Sequence, residues 1–532
     1  MSSSTTPRET WSSKIGFIIA ISGSAIGLGN IWKFPYMTGK YGGGAFLFTY
    51  LLSILLVGMP ILLCELAIGR HTGKNPVAAF HAIGLEQKNR FGLYLGWLMT
   101  ACSICFLFNH IYGIGILIAI GAFLSFKYRF AFVGAMSLFC SVIILSYYSV
   151  IGGWIFKYLG LFITGTIVSS NVAEANTTFT NFITSTWQVV LMHLLFMFLI
   201  ATLLWSGIRN GIEKWSKILM PLMLFLLIAV IIRSVTLEGA SKGLRFFLYP
   251  DFSKLTIHAV LDALGQSFFS LSLGMAICVT YGSYLHKNDN MFSSVFWVVI
   301  ADTIAAILAG LAIFPAVFAM GFSPDAGPSL VFKVLPATFL SIPGITGIIC
   351  GTMFFFALLI AAITSGAALF ECSVTFLIDQ WKFTRKKAII LCYIVISSLG
   401  ILSAVSITDW SNIPTIHTFL GNLFGEQFIQ GNFFDTLDIL STNWLLPMIG
   451  LSTVLFVGWF WQSTKVTKEL RSGAENYCDN NIFLKITGLY NDNVYKESQH
   501  SGITLMSIFF LLVRYVTPCL LIFVFLKIAK IL

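Results

Sequence analysis

Runs of about twenty predominantly apolar residues recur along this chain, among them Ala45 to Ile68, Met291 to Met320 and Ile345 to Leu377. No single motif constrains the fold as much as these runs do. About twenty helical residues cross the roughly 30 Å of bilayer hydrocarbon. Inside hydrocarbon every backbone N–H and C=O must find its partner within the protein, so only helices and closed barrels span. None of the runs alternates as a barrel strand does. The expected class is an all-α integral membrane protein. Composition agrees: the 532 residues are 57% hydrophobic and 10% charged, where soluble chains carry about 25% charge.

Eleven spans are counted, over about 15–36, 45–68, 130–159, 189–204, 218–232, 258–284, 291–320, 345–377, 388–405, 434–461 and 503–528. A polar loop containing "SSNVAEANTT" separates the third from the fourth. Lys and Arg gather in alternate loops, at Arg70 and Lys74, Arg209 and Lys217, Lys382 to Lys387, and Lys465 to Arg471. By the positive-inside rule these loops, and the N-terminus, are cytoplasmic. The loop with Lys242, Arg245 and Lys254 blurs the contrast. The net charge of +10 is read as topology-setting loop charge, with no nucleic-acid partner. No short apolar core with a cleavage site precedes the first span, so no cleaved leader is expected.

Residues 91–127 form a further apolar stretch, broken mid-run by Asn109, His110, Gly113 and Gly115. A single crossing would invert the charge pattern of every later loop. It is therefore expected to cross twice, as a hairpin, or not at all. The ten cysteines are scattered, mostly in apolar runs such as those holding Cys64, Cys140, Cys278 and Cys350. Cys102 and Cys105, with two residues between them, have no further His or Cys partners at zinc spacing, and read as buried small residues.

Two spans carry residues that do not suit a helix in lipid. "SGSAIGLGNIWKFPY", Ser22 to Tyr36, holds three glycines and a proline beside Asn30 and Lys33. Gly23 and Gly27 also fit the small-xxx-small spacing of helix packing. Intramembrane ionisable groups, however, are functional hypotheses by default. "GQSFFSLSLGMAICVTYGSY", Gly265 to Tyr284, is similarly polar and opens the sixth span, five after the first. Interrupted helices at matching places in two five-helix halves point to an inverted-repeat transporter with a midplane site. Unwound backbone offers carbonyls to a cation, and new half-helix N-termini attract an anion. The domain reading follows: 1–14 a cytoplasmic N-terminal latch, 15–235 a first repeat carrying the inserted hairpin, 236–462 a second repeat. Residues 463–502 are then a cytoplasmic loop and 503–532 the final span.

"GLGNIWKFPY", "YGGGAFLFTY", "GQSFFSLSLG" and "AAITS" together resemble the neurotransmitter:sodium symporter family, its bacterial amino-acid branch above all. The resemblance covers spans one to ten. It implies a sodium-coupled symporter that imports an amino acid by alternating access. Two sodium ions are implied. The first would be held by Ala25, Asn30, Ser270 and Asp302 with the substrate carboxylate, the second by Gly23, Ile26, Ala361, Thr364 and Ser365. Such all-oxygen sets suit a hard cation. Thr364 and Ser365 read equally as interhelical hydrogen-bond groups. The implied substrate pocket places the carboxylate on the amides of Leu28 and Gly29 and the hydroxyl of Tyr148. The ammonium would meet Ala25, Phe269, Ser270 and Ser272. Ile144, Ile151, Met275, Ser365 and Leu369 would surround an apolar side chain, aliphatic or aromatic. Relatives that carry amines without a carboxylate have Asp where this chain has Gly27.

The family's outer gate maps to Lys33 and Asp438 with Tyr148 and Phe269, and its inner gate to Arg8, Trp11, Tyr284 and Asp379. Arg8 alone would be an ordinary positive-inside residue. Lys33 stands where Arg is usual, which removes the bidentate fork. Asp302 stands where Asn is common, and Ala306 where chloride-dependent members have Ser. A carboxylate near Tyr50, Gln266 and Ser270 would replace the chloride charge, so no chloride requirement is expected, and Asp302 is the candidate for proton countertransport. Gly211 and Pro221, with nine residues between them, resemble a motif that lets the inner half of the fifth span unwind; a surface glycine and a proline kink is the alternative. His193 and His258 read as residues at span ends without partners, and no nucleophile–base pair or phosphate-binding loop marks an enzyme or an ATP-driven pump. The alternative function is an ion channel or an amino-acid-sensing receptor on the same scaffold. The expected setting is the inner (plasma) membrane, multi-pass, as a monomer or weak dimer in contact with lipid.

Overall fold

The computed structural model describes residues 9–86, 130–167, 172–324, 330–342, 344–408, 432–474 and 505–528. The inserted stretch 91–127 and Arg8 lie outside them. The described helices are α1 (Lys14–Ala25), α2 (Gly29–Lys40), α3 (Gly44–Thr72), α4 (Pro76–Glu86) and α5 (Ala131–Ile163). They continue with α6 (Val172–Thr184), α7 (Thr186–Leu204), α8 (Ile208–Val235), α9 (Ala240–Leu248), α10 (Ile257–Ser270) and α11 (Ile277–Gly282). The rest are α12 (Met291–Ala319), α13 (Val331–Leu340), α14 (Thr346–Trp381), α15 (Arg385–Val405), α16 (Phe433–Phe460), α17 (Ser463–Arg471) and α18 (Ile508–Lys527).

Among the described residues nine helices are long and apolar enough to cross a membrane singly, and α1 with α2 makes a tenth span bent by 45°. The short pair α10 and α11, neither long enough to cross alone, occupies residues 257–282, where hydropathy anticipated the remaining crossing. α5 and α14 pack along one another at the centre and are mostly buried. α8 and α15 stand outside and expose Phe225, Ile232 and Ile394. Water would penalise so much apolar surface, whereas hydrocarbon favours it. Capping closes the helix ends that reach polar surroundings. Ser13 accepts the Gly16 N–H at α1, Thr256 the Ala259 N–H at α10, and Asn290 the Ser293 N–H at α12. α3 ends on Gly73 at φ +60°, the left-handed turn that glycine enters without a steric penalty.

The polar stretch expected as a loop after the third span is largely helical, as α6. Its Phe179 meets Trp154 at 5.3 Å and stacks on Phe332 at 5.6 Å. Packing of that apolar face outweighs the weak helix preference of its Asn and Thr residues. His193 is also placed differently from expectation. It sits inside α7, fully buried, with Nε2 3.2 Å from Ser397 O on α15. It therefore has a partner across a helix–helix contact.

Candidate functional site

α1 stops at Ala25 because the next peptides turn away from the helix ladder. Ile26 has ψ +77°, and the Gly27 N–H donates to Ala25 O at 2.8 Å. The carbonyl of Gly23 thus loses its i+4 donor. The Leu28 N–H, which would have served Ser24, points to Tyr148 Oη at 3.4 Å. Helix resumes at Gly29 with one π-helical turn. Gly27 is required by proximity: a Cβ there would lie 2.8 Å from both Cβ and Oγ of Ser365. A Cβ on Gly29 would lie 2.9 Å from the Phe269 ring. The broken segment is therefore clamped between α5, α10 and α14.

The sixth span breaks between Ser270 and Ile277. Three of those residues have left-handed φ: Ser272 at +55°, Gly274 at +73° and Ala276 at +64°. For Ser and Ala that conformation is strained, and such strain persists only where surroundings over-determine it. Two long-range bonds do so. Glu65 of α3 accepts the Gly274 N–H at 2.8 Å, and Ser272 Oγ donates to Ser24 O at 3.1 Å. Ser272 was expected at the substrate ammonium; here its hydroxyl ties one break to the other. Ser24 and Glu65 were missed in the sequence. A lone carboxylate inside an apolar span was the available signal for Glu65.

Between the breaks lies a fully buried polar knot. Asn30 Nδ2 donates to Asp302 Oδ1 at 2.8 Å and to Asp302 O at 3.0 Å. Ser270 Oγ lies 2.8 Å from both carboxylate oxygens of Asp302 and 3.1 Å from Asn30 Oδ1. Tyr50 Oη reaches Ser270 Oγ at 2.7 Å and donates to Asp302 Oδ2 at 3.1 Å. One hydroxyl proton on Ser270 serves one acceptor at a time, so the knot is rich in oxygen lone pairs beside a carboxylate. Ala25, also buried, ends α1 at the first break. Gln266 does not join Asp302 as expected. Its Nε2 donates instead to Gly29 O at 2.7 Å, a carbonyl just past the first break that also takes the Phe34 N–H of the π-helical turn.

The residues named for a second cation gather on α1 and α14. Gly23 sits against Met220 and Ser216 of α8. Thr364 Oγ1 bonds back to Ile360 O at 3.1 Å and Ala361 O at 3.2 Å within its own helix. The apolar candidates are buried: Ile144 and Ile151 with Tyr148 on α5, Leu369 with Ser365 on α14, and Met275 in the second break.

At one mouth Lys33 Nζ lies 3.6 Å from Asp438 Oδ1 and 4.9 Å from the Phe269 ring centre. At the other, Trp11 is wholly buried, donating from Nε1 to Tyr281 O at 3.1 Å and from its N–H to Tyr284 O at 3.3 Å. Tyr284 Oη meets Thr375 Oγ1 at 2.6 Å. Asp379 accepts bonds from both the backbone N–H and Nδ2 of Asn75 at 3.1 Å. The strap before α1 is fastened to α8: Glu9 accepts the Ile208 N–H at 2.7 Å and Glu213 the Ser12 N–H at 2.9 Å. α8 is wound through both Gly211 and Pro221.

Comparison with known proteins places the whole chain. The model of the Sodium:neurotransmitter symporter family matches residues 8–127 and 164–472. YhdH of Bacillus subtilis, an uncharacterized sodium-dependent transporter, is 34% identical over 469 residues, spanning 87% of this chain and 90% of its own length. An uncharacterized sodium-dependent transporter of Haemophilus influenzae is 31% identical over 478 residues, spanning 89% and 93%. The crystal structure of MhsT in complex with L-phenylalanine superposes with a TM-score of 0.76 at 34% identity, covering 98% of this chain and 99% of that one.

Proposed function

The chain belongs to the sodium:neurotransmitter symporter family, and from that premise we propose that it imports an apolar L-amino acid together with sodium by alternating access. The observation that carries the proposal is the pair of facing breaks, joined through Ser272 and Ser24 and through Asn30, Ser270 and Asp302. Sodium is a co-substrate here, taken by the oxygen atoms of Asn30, Ser270, Asp302 and Ala25. A second ion belongs with Gly23, Ile26, Ala361, Thr364 and Ser365. The amino-acid carboxylate goes to the amides of Leu28 and Gly29 beside Tyr148, where it completes the first ion's ligands. Each occupant then raises the affinity for the other, by the same factor in both directions.

An apolar substrate fits the aliphatic character of Ile144, Ile151, Met275 and Leu369, and L-phenylalanine is the ligand named for MhsT. Transport without chloride is part of the proposal. Asp302 supplies a fixed carboxylate beside Tyr50 and Ser270, and Ala306, one turn on, brings no hydroxyl. The substrate is carried chemically unchanged, and the strap at Trp11 faces the cytoplasm.

The test is competition binding of the twenty amino acids in sodium and in potassium, followed by uptake into proteoliposomes with and without chloride. We expect a large apolar amino acid to compete best, only in sodium, with uptake kept when gluconate replaces chloride. Asn30→Ala is expected to weaken sodium and substrate by at least tenfold each. Binding indifferent to sodium, or ion current without stoichiometric uptake, overturns the symporter reading in favour of a sensor or a channel. Uptake that collapses without chloride overturns the role given to Asp302.

A further inference from the structure

A second polar site lies away from the breaks, where α16 and α18 meet at the membrane boundary. α16 ends at Phe460, so the carbonyl of Gly458 has no helical donor four residues on; Arg514 Nε of α18 supplies one at 2.7 Å. The Arg514 carbonyl is short of a donor for a different reason. Residue i+4 is Pro518, which has no N–H, and Trp459 Nε1 donates to it at 3.2 Å. Both helices carry a π-helical turn at this crossing, Phe456–Phe460 and Leu512–Val516. Such turns are often retained at functional positions.

The structural work of Arg514 thus uses one N–H of five. Its guanidinium lies over the Phe510 ring at 4.8 Å and the Trp459 ring at 5.9 Å, and among the described residues no carboxylate pairs with it. Trp459 and Tyr515 beside it are each 53% exposed. Trp459 is the penultimate residue of α16, so the group sits where hydrocarbon gives way to headgroups, the depth that Trp and Tyr favour. A cation inside a span is costly without an anionic partner. At this depth the partner on offer is the phosphate of a phospholipid, which a guanidinium fork binds in bidentate fashion. Lys468 and Arg471 of α17 add positive charge on the same membrane face.

We propose that Arg514, framed by Trp459 and Tyr515, is a binding site for the phosphodiester headgroup of an anionic phospholipid at the α16–α18 crossing. The site is separate from the transport pathway and does not rest on the substrate assignment.

Native mass spectrometry of the full chain in mild detergent tests this with three additives: phosphatidylglycerol, diacylglycerol lacking the phosphate, and inorganic phosphate. Wild type is expected to keep phosphatidylglycerol where it keeps neither of the others. Arg514→Gln retains an N–H for Gly458 O but removes charge and fork, and is expected to weaken phosphatidylglycerol binding about tenfold. Arg514→Lys should fall between, and Trp459→Phe should leave the headgroup bound. Equal retention of phosphatidylglycerol by wild type and Arg514→Gln overturns the site. Equal binding of diacylglycerol makes it a merely apolar lipid contact, and equal binding of inorganic phosphate an aqueous anion site; either result overturns the proposal. Should Arg514→Gln fail to fold, Arg514→Lys, which keeps the charge and loses the fork, decides: phosphatidylglycerol retention equal to wild type overturns the site.

Discussion

Glu469 of α17 shows how one side chain can fasten three parts of this protein. It lies 2.7 Å from Arg70 Nε at the end of α3, 2.9 Å from Lys287 Nζ after α11, and 3.1 Å from His71 Nδ1. Burial works to raise its pKa, but the His71 hydrogen bond, the Arg70 charge and the Lys287 bond outweigh it and hold the carboxyl at about 2. The unfolded value is about 4.3. A depressed folded pKa stabilises fully above the unfolded value and loses that stabilisation as pH falls towards the folded one. Glu469→Gln should therefore lower stability at pH 7 by about 3 kcal/mol, and its melting curve should converge on wild type only between pH ~4.3 and ~2. Convergence already at pH 6 would refute the assignment. Ser272 permits a second test. Its φ of +55° is strained and its Oγ bonds to Ser24 O. Ser272→Ala keeps the strain and loses the bond, a cost of about 1 kcal/mol. Ser272→Gly loses both, so it should melt close to wild type. If alanine melts no lower than glycine, the Ser24 bond contributes nothing.

At the scale of elements, the first break depends on how near α14 comes. A Cβ at position 27 would lie 2.8 Å from the Ser365 side chain, so Gly27→Ala must push α1 from α14 while leaving both helices formed. Calorimetry should show amino-acid binding weakened at least tenfold, with stability lowered by about 1–3 kcal/mol. Unchanged affinity would mean the gap between α1 and α14 is not part of the site. α8 is the other element with a weakness built in. Pro221 has no N–H for the carbonyl of Lys217, one turn back, and lies inside a helix that is wound here. Pro221→Ala should strengthen α8, lower the turnover of uptake and spare equilibrium sodium binding. Faster turnover would contradict a role for unwinding.

For the whole molecule, the loop-charge expectation of eleven crossings, with residues 91–127 adding two or none, predicts that the strap before α1 and the end of α18 lie on opposite faces. A cysteine at Thr464 should react with an impermeant thiol reagent only from the cytoplasm, and one at Ile528 only from outside. Labelling of both from the same side would show that the inserted stretch crosses once. The fold was legible at this scale because hydrocarbon leaves so few solutions: nearly every span lies within a few residues of its expected place. The short helices outside the apolar runs were not anticipated; in one of them, α6, packing on Trp154 and Phe332 decided against local composition.

The amino-acid sequence by itself determined the helical membrane class, the order of the spans, and that the first and sixth are interrupted. Each follows from local composition in a solvent that cannot repair a broken hydrogen bond. The resemblance already implied that Asn30 and Asp302 share a site; only the tertiary structure decided that Glu65 meets the Gly274 amide, Gln266 meets Gly29, and Ser272 meets Ser24. Those partners are set by how helices rotate and slide against one another, and no periodicity along the chain encodes a relation between residues more than two hundred positions apart.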